Sequence, residues 1–455
     1  MKKLFLSATA LLGMTAGAQA ADMAAKAPYY KAPSVAVYDW TGFYLGVNAG
    51  IGLGRNRAIH DTPLGTDSLY LAPQGAFGGG QVGYNWQAGS LVYGFEADIQ
   101  GAELSDDRTN VGGPLLATAY SQKIDWFGTV RGRVGLATGP VLSYVTGGYA
   151  YGNVKTSITE AGIGTVFSSN KMQNGWVVGS GVEAALGGNW TGKIEYLYLN
   201  MGNNSYAFEP FTQTLNTEVR ENIFRVGLNY RVGSSSAYTP VVAADWTGWY
   251  LGGNFGTGTG RDRSSVIKPA NPPGDLGASE IFNLAPDGIN GGVQAGYNWQ
   301  AANWVYGLEA DIQASSQRDN KTVVGFGTIA YDARLPWFGT VRGRLGYAAG
   351  SSLFYVTGGY AYGGVKTKAR EDGVASALDA STTRSGWTAG AGLETPFTLL
   401  GMFGPNWTSK TEYLYVDLGS TSNLINTTVL TTNVTEHIFR TGLNYHFSSP
   451  VVAKY

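Results

Sequence analysis

WFGTVRGRVG, residues 126–135, and WFGTVRGRLG, residues 337–346, are one decapeptide written twice with a single change. Within the first copy Thr129, Arg131, Arg133 and Gly135 share one face of an extended chain, while Val130, Val134 and Leu136 share the other. A period of two marks a strand, and here its two faces meet different media. The stretch that follows repeats as well: YVTGGYAYGNVKT at 144–156 and YVTGGYAYGGVKT at 355–367.

Working outward, the matches run in the same order along both halves. WTGFYLGVNAG (40–50) pairs with WTGWYLGGNFG (246–256), VGYNWQ (82–87) with AGYNWQ (295–300), and YGFEADIQ (93–100) with YGLEADIQ (306–313). NWTGKIEYLYLNMG (189–202) pairs with NWTSKTEYLYVDLG (406–419), and IFRVGLNYRV (223–232) with IFRTGLNYHF (438–447). Two complete, collinear copies define the architecture before any local assignment.

Each copy holds eight strand candidates; in the first they fall near 40–54, 77–87, 92–104, 126–137, 141–156, 175–186, 190–202 and 222–232. Most exceed the roughly 9–11 residues a tilted strand needs to cross a bilayer. Gaps after the odd-numbered candidates are long and polar, about 18 to 22 residues, and the others are short. Short turns at one end and long loops at the other is the layout of an outer-membrane barrel. The predicted fold is all-β: a transmembrane antiparallel up-and-down barrel, as two eight-stranded repeats or, alternatively, one sixteen-stranded barrel with a water-filled channel.

The strand faces say which side meets lipid. Strand three sets Glu96 and Asp98 against Phe95, Ala97 and Ile99; strand eight sets Arg225, Gly227, Asn229 and Arg231 against Phe224, Val226, Leu228 and Tyr230. A soluble barrel would bury the apolar face; a membrane barrel turns it outward. An arginine on the lipid face at mid-bilayer costs about 2–4 kcal/mol, so Arg131 and Arg133 are expected to point inward. The expected lumenal set of the first repeat is Glu96, Asp98, Arg131, Arg133, Glu183, Lys193, Glu195, Arg225 and Arg231. That of the second is Glu309, Asp311, Arg342, Arg344, Glu394, Lys410, Glu412 and Arg440. In a narrow lumen these charges must pair, which predicts a salt-bridged plug; the alternative is an ion pathway. Tryptophans near strand ends predict an interfacial girdle: Trp40, Trp86, Trp126, Trp176 and Trp190, then Trp246, Trp299, Trp337, Trp387 and Trp407. Strand seven breaks the pattern, because Leu197 and Leu199 fall on the Lys193/Glu195 face. Strand five, blunted by its glycines, yields no face assignment.

Lys2 and Lys3, an apolar run from Leu4 to Ala16 and Ala18-Gln19-Ala20 predict a signal peptide over residues 1–20. A flexible arm is expected over 21–39, the repeats over 40–232 and 246–447, a linker over 233–245 and a tail over 448–455. The arm, the linker and the tail share a PVVA-like string. A formal net charge of −1 points away from nucleic acid, and the absence of cysteine excludes disulfides and thiolate metal sites. His60, His437 and His446 form no catalytic constellation, and GIGLG (50–54) and GTGTG (256–260) lack the spacing and the helix of a phosphate loop. No enzyme activity, cofactor or metal is expected. Asn-Trp-Thr at 189–191 and 406–408 matches the glycosylation sequon but lies at a short turn.

The motifs WTGFYLG, GYNWQ, YGFEADIQ, WFGTVRGRVG, YVTGGYAYG, KIEYLYLNMG and FRVGLNYRV span nearly all of each repeat. Through them the chain resembles the small outer-membrane β-barrel proteins of alphaproteobacteria called outer-membrane immunogenic or surface-antigen proteins. That resemblance implies an eight-stranded, porin-like barrel exposed at the cell surface. Its implied partners are outer-membrane lipid and lipopolysaccharide, and the barrel-assembly machinery during biogenesis. The chain departs from the family by holding two copies, and by the longer turn TLLGMFGPN (398–406). Three functions follow as expectations: a structural surface protein with plugged barrels, a sixteen-stranded diffusion porin, or an adhesin meeting an undefined external ligand or host surface through loops such as 259–289.

Overall fold

The computed structural model describes residues 38–63, 65–110, 118–160, 162–208, 213–233, 244–268, 278–324, 328–371, 378–397, 403–425 and 428–447. The expected signal peptide, the C-terminal tail and most of the arm and linker lie outside these residues.

Among the described residues nineteen strands run in chain order. The first repeat contains β1 (Gly42–Gly54), β2 (Asn56–Thr62), β3 (Gly65–Leu71), β4 (Gln74–Ala88), β5 (Leu91–Asn110), β6 (Thr118–Thr138), β7 (Val141–Glu160), β8 (Gly164–Gly187), β9 (Trp190–Phe208) and β10 (Gln213–Val232). The second contains β11 (Gly248–Lys268), β12 (Ala278–Leu284), β13 (Asp287–Ala301), β14 (Trp304–Val324), β15 (Thr328–Ala349), β16 (Ser352–Glu371), β17 (Leu378–Pro396), β18 (Trp407–Ile425) and β19 (Thr428–His446).

Closure separates the two repeats. β10 returns to β1, with Phe43 opposite Val232 and Gly54 opposite Glu221. β19 returns to β11, with Tyr250 opposite His446 and Ile267 opposite Val429. Each repeat is thus a closed antiparallel barrel of eight main strands, and the sixteen-stranded alternative is corrected: that barrel needs β10 on β11 and β19 on β1, whereas among the described residues β10 pairs with β1, β2 and β9, and β19 with β11 and β18. The physical reason lies in the lumen. Arg225 on β10 reaches Asp98 on β5 at 3.0 Å and Lys193 on β9 reaches Glu96 on β5 at 2.8 Å, and Arg440 on β19 reaches Asp311 on β14 at 2.9 Å, spans that one side chain covers only when each repeat closes on itself.

The polar segments expected as long loops are largely strand. β5, β6, β7 and β8 reach 20, 21, 20 and 24 residues, about twice a bilayer crossing. β2 and β3 make a hairpin within the first such segment, with Asn56 opposite Leu71, and much of 259–289 is β11 and β12. Thr- and Asn-rich strands pair well where the sheet leaves lipid, because both faces can be wet. Register shifts mark the exit, between Gly101 and Leu104, Ile124 and Trp126, and Ala314 and Gln317. Bulges at barrel rims re-aim the side chains beyond them.

The outward face is apolar. Leu45, Val47, Phe95, Ile99, Val130, Val134, Val145 and Val226 are all exposed, as are Leu251, Val293, Leu308, Ile312, Val341, Leu345 and Val356. In a monomer surrounded by water such a belt would be an aggregation liability; it is what lipid requires.

The barrels touch through these outward faces about a pseudo-two-fold axis. Arg55 of the first repeat reaches Asp319 (2.5 Å) and Asp287 (2.6 Å) of the second. Its counterpart Arg261 reaches Asp106, the counterpart of Asp319, at 2.6 Å. Each aspartate also accepts its own repeat's backbone N–H, Ala72 to Asp106 at 2.8 Å and Ala285 to Asp319 at 2.9 Å. Nearer mid-belt, Tyr196 meets Phe439 at 5.5 Å between ring centroids, and Phe224 meets Tyr413, the reciprocal pair, at 5.3 Å. A residue i that contacts j while j's copy contacts i's copy is the signature of an isologous interface.

Candidate functional site

The lumen of each barrel is filled in layers, and the central layer is ionic. Alternation along β5 turns Glu96 and Asp98 inward, and β6 does the same for Arg131 and Arg133. Register then opposes unlike charges on neighbouring strands: Glu96 to Arg131, Glu183 to Lys193 and Glu195 to Arg225. The second barrel repeats these as Glu309 to Arg342, Glu394 to Lys410 and Glu412 to Arg440. Cross-strand pairs of this kind are the sheet's local stabilising unit.

Further contacts cross the lumen. Arg131 donates to Glu96, to Asp98 at 3.0 Å and to Glu195 at 3.0 Å. Lys193 donates to both carboxylate oxygens of Glu96 at 2.8 Å. Arg225 bridges Glu195 (2.5 Å) and Asp98 (3.0 Å). Arg133 donates to Glu183 at 2.9 Å and to Asn85 at 2.8 Å. In the second barrel Arg342 joins Glu309, Asp311 and Glu412. Lys410 takes Glu309 at 2.6 and 2.7 Å, Arg440 bridges Asp311 and Glu412, and Arg344 holds Glu394 at 2.8 Å. All sixteen groups are buried. Each cluster sets four carboxylates (Glu96, Asp98, Glu183, Glu195; Glu309, Asp311, Glu394, Glu412) against four cations (Arg131, Arg133, Lys193, Arg225; Arg342, Arg344, Lys410, Arg440), so it is formally neutral. A neutral, hydrogen-bonded set is the form in which buried charge is tolerated.

Tyrosines that sequence reasoning missed complete the layer. The Tyr44 and Tyr144 hydroxyls donate to Glu96 (2.8 Å) and Glu195 (2.9 Å), and their rings flank the Arg133 guanidinium at 4.7 and 5.2 Å. Tyr250 and Tyr355 repeat this with Glu309, Glu412 and Arg344. Their signal was present: each tyrosine recurs in the second copy on a glycine-rich face. The glycines are required by close approach, because a Cβ on Gly83 would lie 2.3 Å from the Tyr44 hydroxyl, and one on Gly296 would meet Tyr250 the same way.

Arg231 stands apart from the ions. It donates to the backbone carbonyls of Asp39 and Thr41 and lies over the Tyr38 ring. On the other side of the ionic layer the inward face becomes apolar, a departure from the charged-or-glycine face expected. Leu197 and Leu199, two and four residues beyond Glu195, join Phe77, Leu104, Phe127, Val177 and Ile223 in a buried cluster. Phe338, Leu414, Val416, Leu418 and Ile438 form its counterpart. Leu197 and Leu199 are therefore lumenal packing in a second layer. β7 also resolves, with Tyr144, Thr146 and Ala150 buried and Val145 and Tyr149 exposed.

The girdle needs one correction. Trp40 and Trp246, expected at the lipid boundary, are 1% and 0% exposed. Trp40 packs with Tyr38, Val92, Leu142 and Ala185 at the short-turn end and donates to the Gly139 carbonyl at 3.2 Å. Trp246 packs with Val305, Ala348 and Leu353. Each precedes its first strand, so the alternation that aims strand residues does not govern it, and the chain folds back under the barrel. Trp86, Trp176, Trp190, Trp299 and Trp387 are exposed, and Trp126, Trp337 and Trp407 half-buried. Trp249 and Trp304, not anticipated for the girdle, are 61% and 55% exposed.

His60 bonds Tyr120 and Gln213, His437 bonds Tyr413, and His446 lies 3.2 Å from Glu394. Among the described residues no group of three or more His, Asp or Glu side chains is placed to hold a metal ion.

Comparison with known proteins places this architecture. The chain is 36% identical over 244 residues to the 31 kDa outer-membrane immunogenic protein of Brucella melitensis, a match covering 51% of this chain and all of that one. It is 33% identical over 204 residues to the 22 kDa outer membrane protein of Rhizobium leguminosarum bv. viciae, covering 44% of this chain and 82% of that one. Neisserial surface protein A aligns in structure with 16% identity and a TM-score of 0.22, covering 42% of this chain and 97% of that one. The model of the outer membrane protein beta-barrel domain matches twice, at residues 6–231 and 232–447. The chain belongs to that family, as a tandem pair of outer-membrane β-barrels.

Proposed function

We propose that this protein is a structural and surface-antigen component of the outer membrane, two occluded barrels held side by side with their strand extensions and loops presented to the exterior. The observation that carries the reading is the neutral four-against-four ion cluster found in both lumens. An eight-stranded barrel has an interior that side chains just fill. Here the ionic layer is backed by an apolar layer and by a tryptophan under the short-turn end, so a hydrated ion would have to break paired charges to pass. Breaking one such pair costs about 3–5 kcal/mol, which opposes conduction. The relatives' description as immunogenic supports the surface-antigen part, since the same face would be available here. No catalytic role is part of the proposal.

Reconstitution into planar bilayers tests it. The purified chain is expected to add no steady large conductance. Stable open channels on the order of a nanosiemens would overturn the occluded-barrel reading in favour of a diffusion porin.

A further inference from the structure

The outward face of the second barrel carries a row of like charges that its own chain neutralises only in part. Arg318 on β14 lies directly opposite Arg334 on β15, and Arg334 lies directly opposite Lys366 on β16. All three are exposed. Lys368 and Arg370 continue the same face of β16. Like charges directly opposite on adjacent strands destabilise a sheet. Arg334 is met by Asp332 at 2.6 Å and Lys368 by Asp379 at 2.7 Å. Asp287 stands opposite Arg318 on β13 and is held by Arg55 at 2.6 Å, and Asp379 faces Lys366 and Arg370 as well as Lys368; among the described residues no carboxylate comes within ion-pair distance of Arg318, Lys366 or Arg370.

The first barrel shows the same rows differently filled. Its counterparts of Arg318, Arg334 and Lys366 are Ser105, Lys123 and Lys155, in the same register. Between the two lysines stands Asp125, 3.2 Å from Lys123 and 2.7 Å from Lys155. Those two ammonium groups hold its carboxyl below the usual range. In the second barrel the Asp125 position is Pro336, and Asp332, which stands where the first barrel has Ser121, pairs with Arg334; the counterpart of Lys155, Lys366, thus loses its carboxylate while the cation count rises.

Position supplies the ligand. The row lies just beyond the bulge between Arg334 and Trp337, on the side of the aromatic girdle away from the short turns. In an outer-membrane barrel that side faces the exterior, so the row sits at the head-group level of the outer leaflet. Guanidinium groups in a row match phosphate oxygens, which accept several charge-assisted hydrogen bonds. We propose that Arg318, Arg334 and Lys366, flanked by Lys368 and Arg370, form a binding site for the phosphate groups of an outer-leaflet glycolipid, present on the second barrel and absent from the first. The proposal rests on the outer-membrane location and not on the occlusion of the lumens.

The test uses the full-length protein in zwitterionic detergent, titrated with lipopolysaccharide and, in parallel, with dephosphorylated lipopolysaccharide, inorganic phosphate and a sulfated polysaccharide. Heat-modifiable mobility confirms that each variant is folded. At about fivefold per cation near a charged lipid surface, the variant Arg318→Ser/Arg334→Ser/Lys366→Ser is expected to bind lipopolysaccharide about 100-fold more weakly than the parent. Lys123→Ser/Lys155→Ser is expected to bind like the parent. Pro336→Asp, which installs the residue the first barrel already tolerates, is expected to weaken binding about fivefold and covers the case in which the triple variant fails to fold. Equal binding by parent and Pro336→Asp, undiminished binding of dephosphorylated lipopolysaccharide, or full competition by inorganic phosphate would each overturn the proposal. Preferential capture of the sulfated polysaccharide through the same residues would overturn it in favour of an adhesin surface.

Discussion

Replacing Arg131 by Met removes one cation from a neutral cluster and leaves its shape nearly filled. Arg131 makes hydrogen bonds to three carboxylates, those of Glu96, Asp98 and Glu195, and a fourth to the Thr129 hydroxyl at 2.8 Å. After the change, four carboxylates face Arg133, Lys193 and Arg225 alone. Glu96 keeps Lys193 and Glu195 keeps Arg225, so neither loses every partner. The excess negative charge nonetheless stays buried, since Glu96, Asp98 and Glu195 are at most 4% exposed. Removing one partner of a buried ion pair costs about 3–5 kcal/mol, and that is the expected loss for the first barrel. The second barrel has its own cluster around Arg342 and should be spared. Cold and heated samples run in detergent gels across a temperature series would resolve this: the Arg131→Met protein is expected to show a band of intermediate mobility, one barrel open and one closed, at temperatures where the parent is fully folded. Arg342→Met should give the reciprocal species, distinguished by a protease site placed in the segment 234–243. If Arg131→Met opens at the parent's temperature, the claim that the ion layer holds the lumen is falsified.

Three further outcomes are expected. Gly83→Val should slow or prevent closure of the first barrel, because a Cβ there would lie 2.3 Å from the Tyr44 hydroxyl and 2.5 Å from the Phe95 carbonyl; overpacking of this kind costs about 1–3 kcal/mol, readable as a lower urea midpoint for refolding into detergent. The double change Arg55→Ser/Arg261→Ser removes both reciprocal ion pairs between the barrels. Arg55 and Arg261 are part-buried while their partners Asp319 and Asp106 are buried, so the cost sits at the lower end of the about 2–5 kcal/mol for truncating one partner of an interfacial ion pair, and halves cut at a protease site within 234–243 should separate on affinity capture, while parent halves stay together. Asp125 supplies a pH dependence. Its carboxyl is lowered from an ordinary 3.8 by Lys155 and Lys123, so its pairing is present above the ordinary value and is lost as pH falls through the lowered one. Below that point Lys123 and Lys155 are bare, and lipopolysaccharide binding by the Arg318→Ser/Arg334→Ser/Lys366→Ser protein should rise; binding that does not change on acidification would exclude Asp125 as the neutralising group.

Much of this molecule was legible along the chain. Alternation in WFGTVRGRVG and YGFEADIQ placed Arg131, Arg133, Glu96 and Asp98 on one face and Val130, Val134, Phe95 and Ile99 on the other. In the structure the first set is buried and the second is 50–63% exposed. Such inference works because a strand's period is strictly two, so a face is decided by neighbours in sequence. Where the period is interrupted the inference stopped. Trp40 and Trp246 precede their strands, and the bulges between Ile124 and Trp126 on β6 and between Arg334 and Trp337 on β15 change which residues face inward beyond them, so that odd-numbered Thr129 and Arg131 but even-numbered Gln122 and Tyr120 are buried.

Repetition and alternation along the chain carry the duplication, the strand character and the inversion that turns grease toward lipid and charge toward the lumen. Three features appear only once the chain is folded: β10 closes on β1 and not on β11, Arg225 meets Asp98 across a separation of 127 residues, and Arg55 and Arg261 clasp the opposite repeats. These are choices among partners distant along the chain. They turn on whether opposing walls lie within one side chain's reach, a distance that no local pattern of residues encodes and that the closed barrel alone sets.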